Sequence, residues 1–426
     1  MPVTNFNYGF LAGVTVRGVP ILQSNPGNVY WVGNGPVGGS TTNYTTRFSG
    51  GSDNNSGTFQ KPFATIAQAL SVCSQGAGDI ILVKPGHVEV CNAVAGGMAV
   101  VYDQTGLNAL STGGTVGYST LFNVAGVAIV GMGVGNLRPT IIWSTATGAT
   151  IPVRASGMSI QGFRFLANFA AVVSAFTGIA SSSATSTVIA ATAGGVPCLY
   201  NAVGAVSTIW PGAALTGSTV LQGTTIVSQY SGTANGIGTY IITPAQAAVT
   251  SFTAITGPWD FNIESCDFID LGTALNFLAG VTTPAGANCM SGLRVANCRH
   301  LSIASSGAIS LIKLGSNLDR LIADNNFSTS AAAITGGAII AGSTFNMTNA
   351  QIMRNVVYRP TVTASTAIVV SSSSTACTGM MYDNYGWCLG ATTLLISTGT
   401  VLGFANNFCS ITGTADKNAT QNPLLT

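Results

Sequence analysis

Charge is what this sequence has least of. Its 426 residues carry 14 Lys and Arg and 12 Asp and Glu, 6% charged in all, with a formal net charge of +2. An ordinary globular protein runs at about 25%. The basic residues are scattered singly, so no patch could neutralise a run of phosphates, and nucleic acid is not an expected partner. Disorder is excluded on other grounds. It needs low hydrophobicity with high net charge, whereas here mean hydropathy is +0.46. Long apolar runs are also missing. Gly, Ser, Thr or Asn breaks every candidate before about 18 residues. The regular alternating segments and aromatic girdles of a membrane β-barrel do not show, so no membrane is expected. The opening MPVTNFNYGF has no basic stretch leading into an apolar core, hence no secretory leader is read there. The nine Cys contain no CxxC pair, which leaves neither zinc-site spacing nor a tidy disulfide framework. Their odd number suits a reducing compartment such as cytoplasm.

What is present is small and β-forming: Gly, Ala, Ser and Thr dominate. Residues 1–56 read as an extended, Gly- and Pro-punctuated arm. One helix is expected over 62–74, with Phe63, Ile66, Ala67, Leu70 and Val72/Cys73 close to a 3.6 period. Pro62 stands in its first turn, where a missing N–H costs little. The wholly apolar strand DIILV (79–83) follows.

Further on, six segments can be laid over one another: IESCDF (263–268), VANCRH (295–300), IADNNF (322–327), MRNVVY (353–358), MYDNYG (381–386) and FANNFC (404–409). Each joins a short strand to a turn residue: Cys266, Cys298, Asn325, Asn355, Asn384 and Asn407, separated by 32, 27, 30, 29 and 23 positions. IQGFRF (160–165) belongs to the set, and VAIVGMG (127–133) lies about one period before it. A loose repeat of this length predicts a β-solenoid, whose stacked coils bury one apolar column. Turn Asn side chains would then bond the neighbouring coils. Phe163 to Cys266 is 103 residues, so an insertion is expected at 177–258. Its alternating β-branched residues and Gly turns suggest a small antiparallel module. The expected order is therefore arm (1–56), helix and first coils (57–176), module (177–258), remaining coils (259–412) and tail (413–426). A bare solenoid end invites aggregation, and the helix is placed to cap it.

The run GTFQKPFATIAQAL followed by GDIILVKPGHVE resembles the N-terminal cap and first coil of right-handed parallel β-helix proteins of the pectate-lyase-like group. His87-Val88-Glu89 and VAIVGMGVGNLRPTI resemble, more narrowly, β-helix proteins of tailed-phage and prophage virions. In the insertion, Gly223-Thr224, Gly238-Thr239-Tyr240 and Thr243-Pro244 resemble a small β-module of phage structural proteins. That resemblance implies an all-β, right-handed parallel β-helix in a virion, assembled in the host cytoplasm. The expected role is non-enzymatic: a capsid decoration or head-fibre protein. The expected partners are copies of itself, as a homotrimer, and the major capsid protein or another virion protein, held through the N-terminal arm. The alternative is a tail spike or fibre binding host surface glycan, with or without depolymerase activity.

Enzymes of this group cluster carboxylates on one face, either as paired acids or as calcium ligands beside a basic residue. The densest acidic group here is Asp260, Glu264, Asp267 and Asp270. Two carboxyls about 5–9 Å apart could act as acid and base, although solvated turn residues beside the insertion are the favoured reading. The Asn-Thr-Asp, Asp-Asp and Gly-His-Gly patterns of the polygalacturonase branch are absent. His87, after a Pro-Gly turn, reads as a cap or turn residue, and His300 falls where other repeats carry Phe or Tyr. GMGVGN (131–136) has Asn136 at its third glycine position and no helix pattern after it, so it fails as a dinucleotide loop. Cys266 and Cys298 occupy matching places on successive coils; a disulfide is within reach, but free thiols standing in for ladder Asn are favoured. No catalytic, cofactor-binding or metal-ligating residue is assigned, and no cofactor is expected. The spike alternative predicts exposed Trp and Tyr with carboxylates in a groove, whereas Trp143, Trp210, Trp259 and Trp387 are scattered along the chain.

Overall fold

A computed structural model describes residues 14–16, 19–22, 27–33, 51–74, 76–90, 122, 124–143, 151–153, 155, 157–167, 172–178, 185–193, 196–201, 215–216, 221, 224–232, 238–244, 249–254, 260–270, 277–282, 292–302, 310–314, 318–330, 339–342, 347–359, 369–371, 378–388, 395–396 and 401–411. Three parallel sheets carry the fold. A ten-stranded sheet runs from Val29–Val32 to Val401–Ala405, a nine-stranded sheet from Val88–Val90 to Phe408–Ile411, and a seven-stranded sheet from Ile151–Val153 to Leu395–Ile396. The chain visits them in turn. Asn262–Glu264, Asp267–Asp270 and Phe277–Thr282 make one coil, and Arg294–Ala296, Arg299–Ser302 and Ile312–Lys313 pair beneath them in parallel. This is the β-solenoid that the repeat predicts. At about 4.8 Å per coil the ten-stranded sheet extends roughly 43 Å.

Because coils stack in register, each strand position becomes a column. The inward column of the ten-stranded sheet reads Ile81, Ile129, Ile160, Ile263, Val295, Ala323, Ile352 and Met381, each paired with the next and each fully buried. The early coils fill the remaining interior with aromatics. Phe165 stacks on Phe268 at 5.0 Å, and Phe176 meets Phe165 edge-on at 5.1 Å. His300 takes the inward place after Phe268, buried, with Nδ1 3.3 Å from Ser328 Oγ. It is a core residue following Phe165 and Phe268, whereas Phe327 and Tyr358, which share its place in the sequence repeat, lie on the outward columns and Ser328 and Val357 continue the inward one.

Two further columns bracket the ten-stranded sheet, and both have left-handed backbone. Before the strand lie Gly78, Gly126, Gly157, Asp260, Gly292, Arg320 and Asn349; after it lie Gly162, Ser265, Asn297, Asn325, Arg354, Asp383 and Asn406. All have φ between 50° and 77°, and they include every non-glycine residue at positive φ among the described residues. Asn and Asp tolerate this region better than other side-chain-bearing residues. Arg354 is compensated by both of its hydrogen bonds to Asp324, at 2.8 and 2.6 Å.

The residue immediately after the second left-handed column forms the amide ladder. Here the expected register needs one correction. The ladder member in IADNNF is Asn326, not Asn325, so the ladder runs Cys266, Cys298, Asn326, Asn355, Asn384, Asn407, all buried. Asn325 is exposed, left-handed, and donates from Nδ2 to Asn297 Oδ1 at 2.7 Å. Within the ladder, Asn355 Oδ1 accepts from both the backbone N–H and Nδ2 of Asn326, at 3.1 and 2.9 Å. Asn355 Nδ2 donates to Asn384 Oδ1 and back to the Ala323 carbonyl. Asn384 repeats the arrangement with Asn407 and Ile352. Cys266 and Cys298 are free thiols in the same column. Each makes a 3.2 Å contact to a carbonyl two residues back and a long one, 4.0 and 3.8 Å, to the preceding coil.

The helix Ile66–Val72 is N-capped by Thr65, whose side chain accepts from Gln68 N–H. It buries Ile66, Ala69 and Leu70 in the core and contacts the first two strands of the ten-stranded sheet. That sheet begins earlier than its sequence suggests, with Val29–Val32 inside the expected arm. Three carboxylates tie this end together. Asp53 accepts from Ala64 and Thr65 N–H, Glu89 from Ile66 N–H, and buried Asp79 from Asn28 and Ser74 N–H. His87 is buried with Nε2 3.1 Å from Glu89 Oε2. Between the coils, residues 185–254 contribute a six-stranded, wholly antiparallel sheet. No helix among the described residues is long and apolar enough to cross a membrane.

The two Asn columns should respond differently to truncation. Asn355→Ala is expected to cost about 3 kcal/mol, because it leaves buried partners on both neighbouring coils unsatisfied. Asn325→Ala should cost about 1 kcal/mol, chiefly from the left-handed backbone. Equal urea midpoints for the two variants would contradict the corrected register.

Burial beside Asp79 pushes the Cys73 thiol from 9.0 up to about 12. The folded state therefore holds this proton more tightly than the unfolded chain, and stability falls as pH rises from 9.0 towards about 12. Urea denaturation at pH 7.5 and 10.5 should show that loss, and Cys73→Ala should show a smaller one.

Candidate binding face

Strand residues alternate between interior and surface. On the nine-stranded sheet the inward positions are Ile141, Phe165, Phe268, His300, Ser328 and Val357, all buried. The flanking positions face out and form two columns along the rod. One reads Thr140, Arg164, Asp267, Arg299, Phe327, Val356, Tyr385. The other reads Ile142, Leu166, Ile269, Leu301, Thr329, Tyr358, Trp387.

The face changes character along its length. In the earlier coils Asp267 is almost fully buried although it points outward, because guanidiniums cover it. Arg299 reaches it through Nε and Nη2 at 2.8 and 2.9 Å, and Arg138 through Nη1 at 2.7 Å. The paired carboxylate raises the pKa of Arg299 further, fixing its charge. Arg164 lies beside Asp267 on the preceding strand and donates from Nη2 to the Gly135 carbonyl at 3.0 Å. From Phe327 onward the first column becomes apolar, and the second, aliphatic as far as Leu301, ends in Tyr358 and Trp387. Leu301, Phe327, Tyr358 and Tyr385 are 37%, 37%, 43% and 43% exposed. Half-buried Trp387 stacks against Tyr358 with centroids 4.9 Å apart. Large exposed apolar residues aligned on one rigid surface mark an interaction site more strongly than the same residues scattered singly.

The acidic group singled out from the sequence does not converge. Asp260 is at an exposed left-handed turn, 3.5 Å from Arg320. Glu264 faces out from the ten-stranded sheet, 2.8 Å from Arg294 Nη1. Asp267 is on the neighbouring sheet between arginines, and Asp270 is buried at an inward position. No group of three or more His, Cys, Asp or Glu among the described residues could hold a metal ion. GMGVGN forms the end of Ala128–Gly131 and the short 3-10 turn Gly135–Leu137, leading to a strand. Trp210 and Trp259 lie outside the described residues, as does the side chain of Trp143. Trp387 is thus the described member of its set that joins an aromatic face. Sequence reasoning missed this face because its members come from three coils, and only the register brings Phe327, Tyr358, Tyr385 and Trp387 together. The alternate-position aromatics in YGWC (385–388) were the one local signal.

Asp267→Asn should leave two guanidiniums without their counter-charge. With the arginines partly exposed, the expected loss is about 2 kcal/mol, read from thermal or urea unfolding. A melting curve identical to the parent's would show that this pairing contributes nothing.

No family model and no curated protein sequence matches the chain. Among solved structures it is similar to a rhamnogalacturonan lyase, at 12% identity and TM-score 0.33, over 93% of this chain and 90% of that one. It is also similar to the Gp54 tailspike of Acinetobacter baumannii bacteriophage AP22 in complex with A. baumannii capsular saccharide, at 8% identity and TM-score 0.13, over 64% of this chain and 65% of that one.

Proposed function

We propose that this chain is a non-enzymatic glycan-binding β-solenoid of a tailed-phage virion, of the tail-spike or tail-fibre kind. The observation that carries the reading is the outer face of the nine-stranded sheet, where exposed Phe327, Tyr358 and Tyr385 adjoin the Tyr358–Trp387 stack. Sugars offer apolar C–H surface edged by hydroxyls, and aromatic side chains with a polar edge suit both. A stiff parallel stack holds such groups in place at little ordering cost. The virion context comes from the sequence resemblance of the first coil and the insertion. Binding without cleavage accords with the ion pairs on Asp260, Glu264 and Asp267, which occupy the carboxylates an acid–base pair would need. In this reading the solenoid is right-handed, as nearly all parallel crossovers are, the helix Ile66–Val72 closes its first end, and the chain works as a homotrimer.

A second reading, capsid decoration or head fibre, is favoured by one feature. Val29 and Phe59, 45% and 54% exposed, lie at the N-terminal end, where contact with a major capsid protein would be made.

Binding of the purified protein to host cells and to their isolated surface polysaccharide tests the first reading. Trp387→Ala should weaken it about tenfold, the equivalent of ~1.4 kcal/mol of lost stacking, with the secondary structure unchanged. Release of reducing ends or unsaturated sugars would overturn the non-enzymatic part. Stoichiometric binding to emptied capsids, with none to the glycan, would favour decoration.

A further inference from the structure

The aromatic half of the binding face does not stand alone. Immediately before it, Arg164 and Arg299 flank Asp267 on one column, and Arg138, from the turn before Thr140–Trp143, reaches the same carboxylate. We propose that Arg164, held by the Gly135 carbonyl, and Arg299, held by Asp267, form a carboxylate-binding subsite, and that the ligand is an acidic glycan lying along the rod axis from this subsite onto the aromatic coils. The inference rests on the glycan reading above and adds its charge and direction.

Three observations carry it. First, the charges do not balance. Three cations face one anion in a chain with few charges of either sign, and guanidiniums offer many more N–H donors than one carboxylate can accept. The Nε atoms of Arg138 and Arg164 are buried without an acceptor among the described residues. Second, Arg299 combines fixed orientation with access. Its Nε and Nη2 are held by Asp267 while its side chain remains 64% exposed. A pre-oriented planar guanidinium is suited to a carboxylate of the ligand, in the bidentate manner Arg favours. Third, the register places Phe327 directly after Arg299 and Leu301 beside both. Charge and apolar surface are therefore one coil apart, about 4.8 Å. A ligand crossing the rod at the Arg299 coil would meet guanidinium and Leu301 but no ring, whereas a ligand along the rod meets both the guanidiniums and the aromatic rings.

The test uses an immobilised panel of neutral and uronate-containing oligosaccharides, with each acidic member also present in carboxyl-reduced form. The full chain is expected to bind uronate-containing members, to lose at least tenfold in affinity on carboxyl reduction, and to weaken as NaCl rises. Arg164→Gln does not touch the Asp267 pairs, so it should fold normally and lose most of the preference for the acidic form. Arg299→Lys, which keeps charge but not the fork, should lose part of it. Equal binding of native and carboxyl-reduced members overturns the inference and leaves the glycan reading intact. Binding to no member of the panel overturns both.

Discussion

Strict vertical registration governs this molecule. Each coil places its residues about 4.8 Å from their counterparts above and below, so every residue is chosen against two copies of its own position. A column of equal charges would repel along its whole length. The scarcity of charge follows from this. Several of the charges on the described coils come in opposite-signed neighbours: Arg164, Asp267 and Arg299 on one sheet, Glu264 with Arg294 on another, Asp324 with Arg354 at a turn. The remaining described carboxylates include Asp53, Asp79 and Glu89, which hold backbone N–H groups where the first coils meet the helix.

The same constraint explains what could be read from the sequence. Columns that demand one side-chain type leave a repeating trace, so the Asn ladder and the solenoid are legible in the spacing alone. Two adjacent columns that both favour Asn are not separable in that way. At Asn325-Asn326 one residue supplies a left-handed turn and the other a buried amide, and either name fits either task. Only the pairing of Cys298 with Asn326, and of Asn326 with Asn355, assigns them.

The binding face was less legible for the opposite reason. Outward columns need not repeat a residue type, and Arg299, Phe327, Val356 and Tyr385 share a column without sharing chemistry. A scan for clustered acids therefore found Asp260 to Asp270, which lie close in sequence but point to two sheets, the interior and a turn. It passed over aromatics that lie 29 positions apart and yet touch, as Tyr358 and Trp387 do.

The exchange of amide for thiol at Cys266 and Cys298 divides the rod into two differently fastened blocks. Below it, directional side-chain bonds all run the same way from coil to coil, and such aligned dipoles reinforce one another. Above it, ring-on-ring packing around Phe165 and Phe268 provides the cohesion. The six-stranded sheet stands between the Phe163 and Cys266 coils, so the inserted strands interrupt neither fastening. Across that boundary the guanidiniums of Arg138, from an earlier coil, and Arg299, from the next one, both reach Asp267 and rivet the two blocks together.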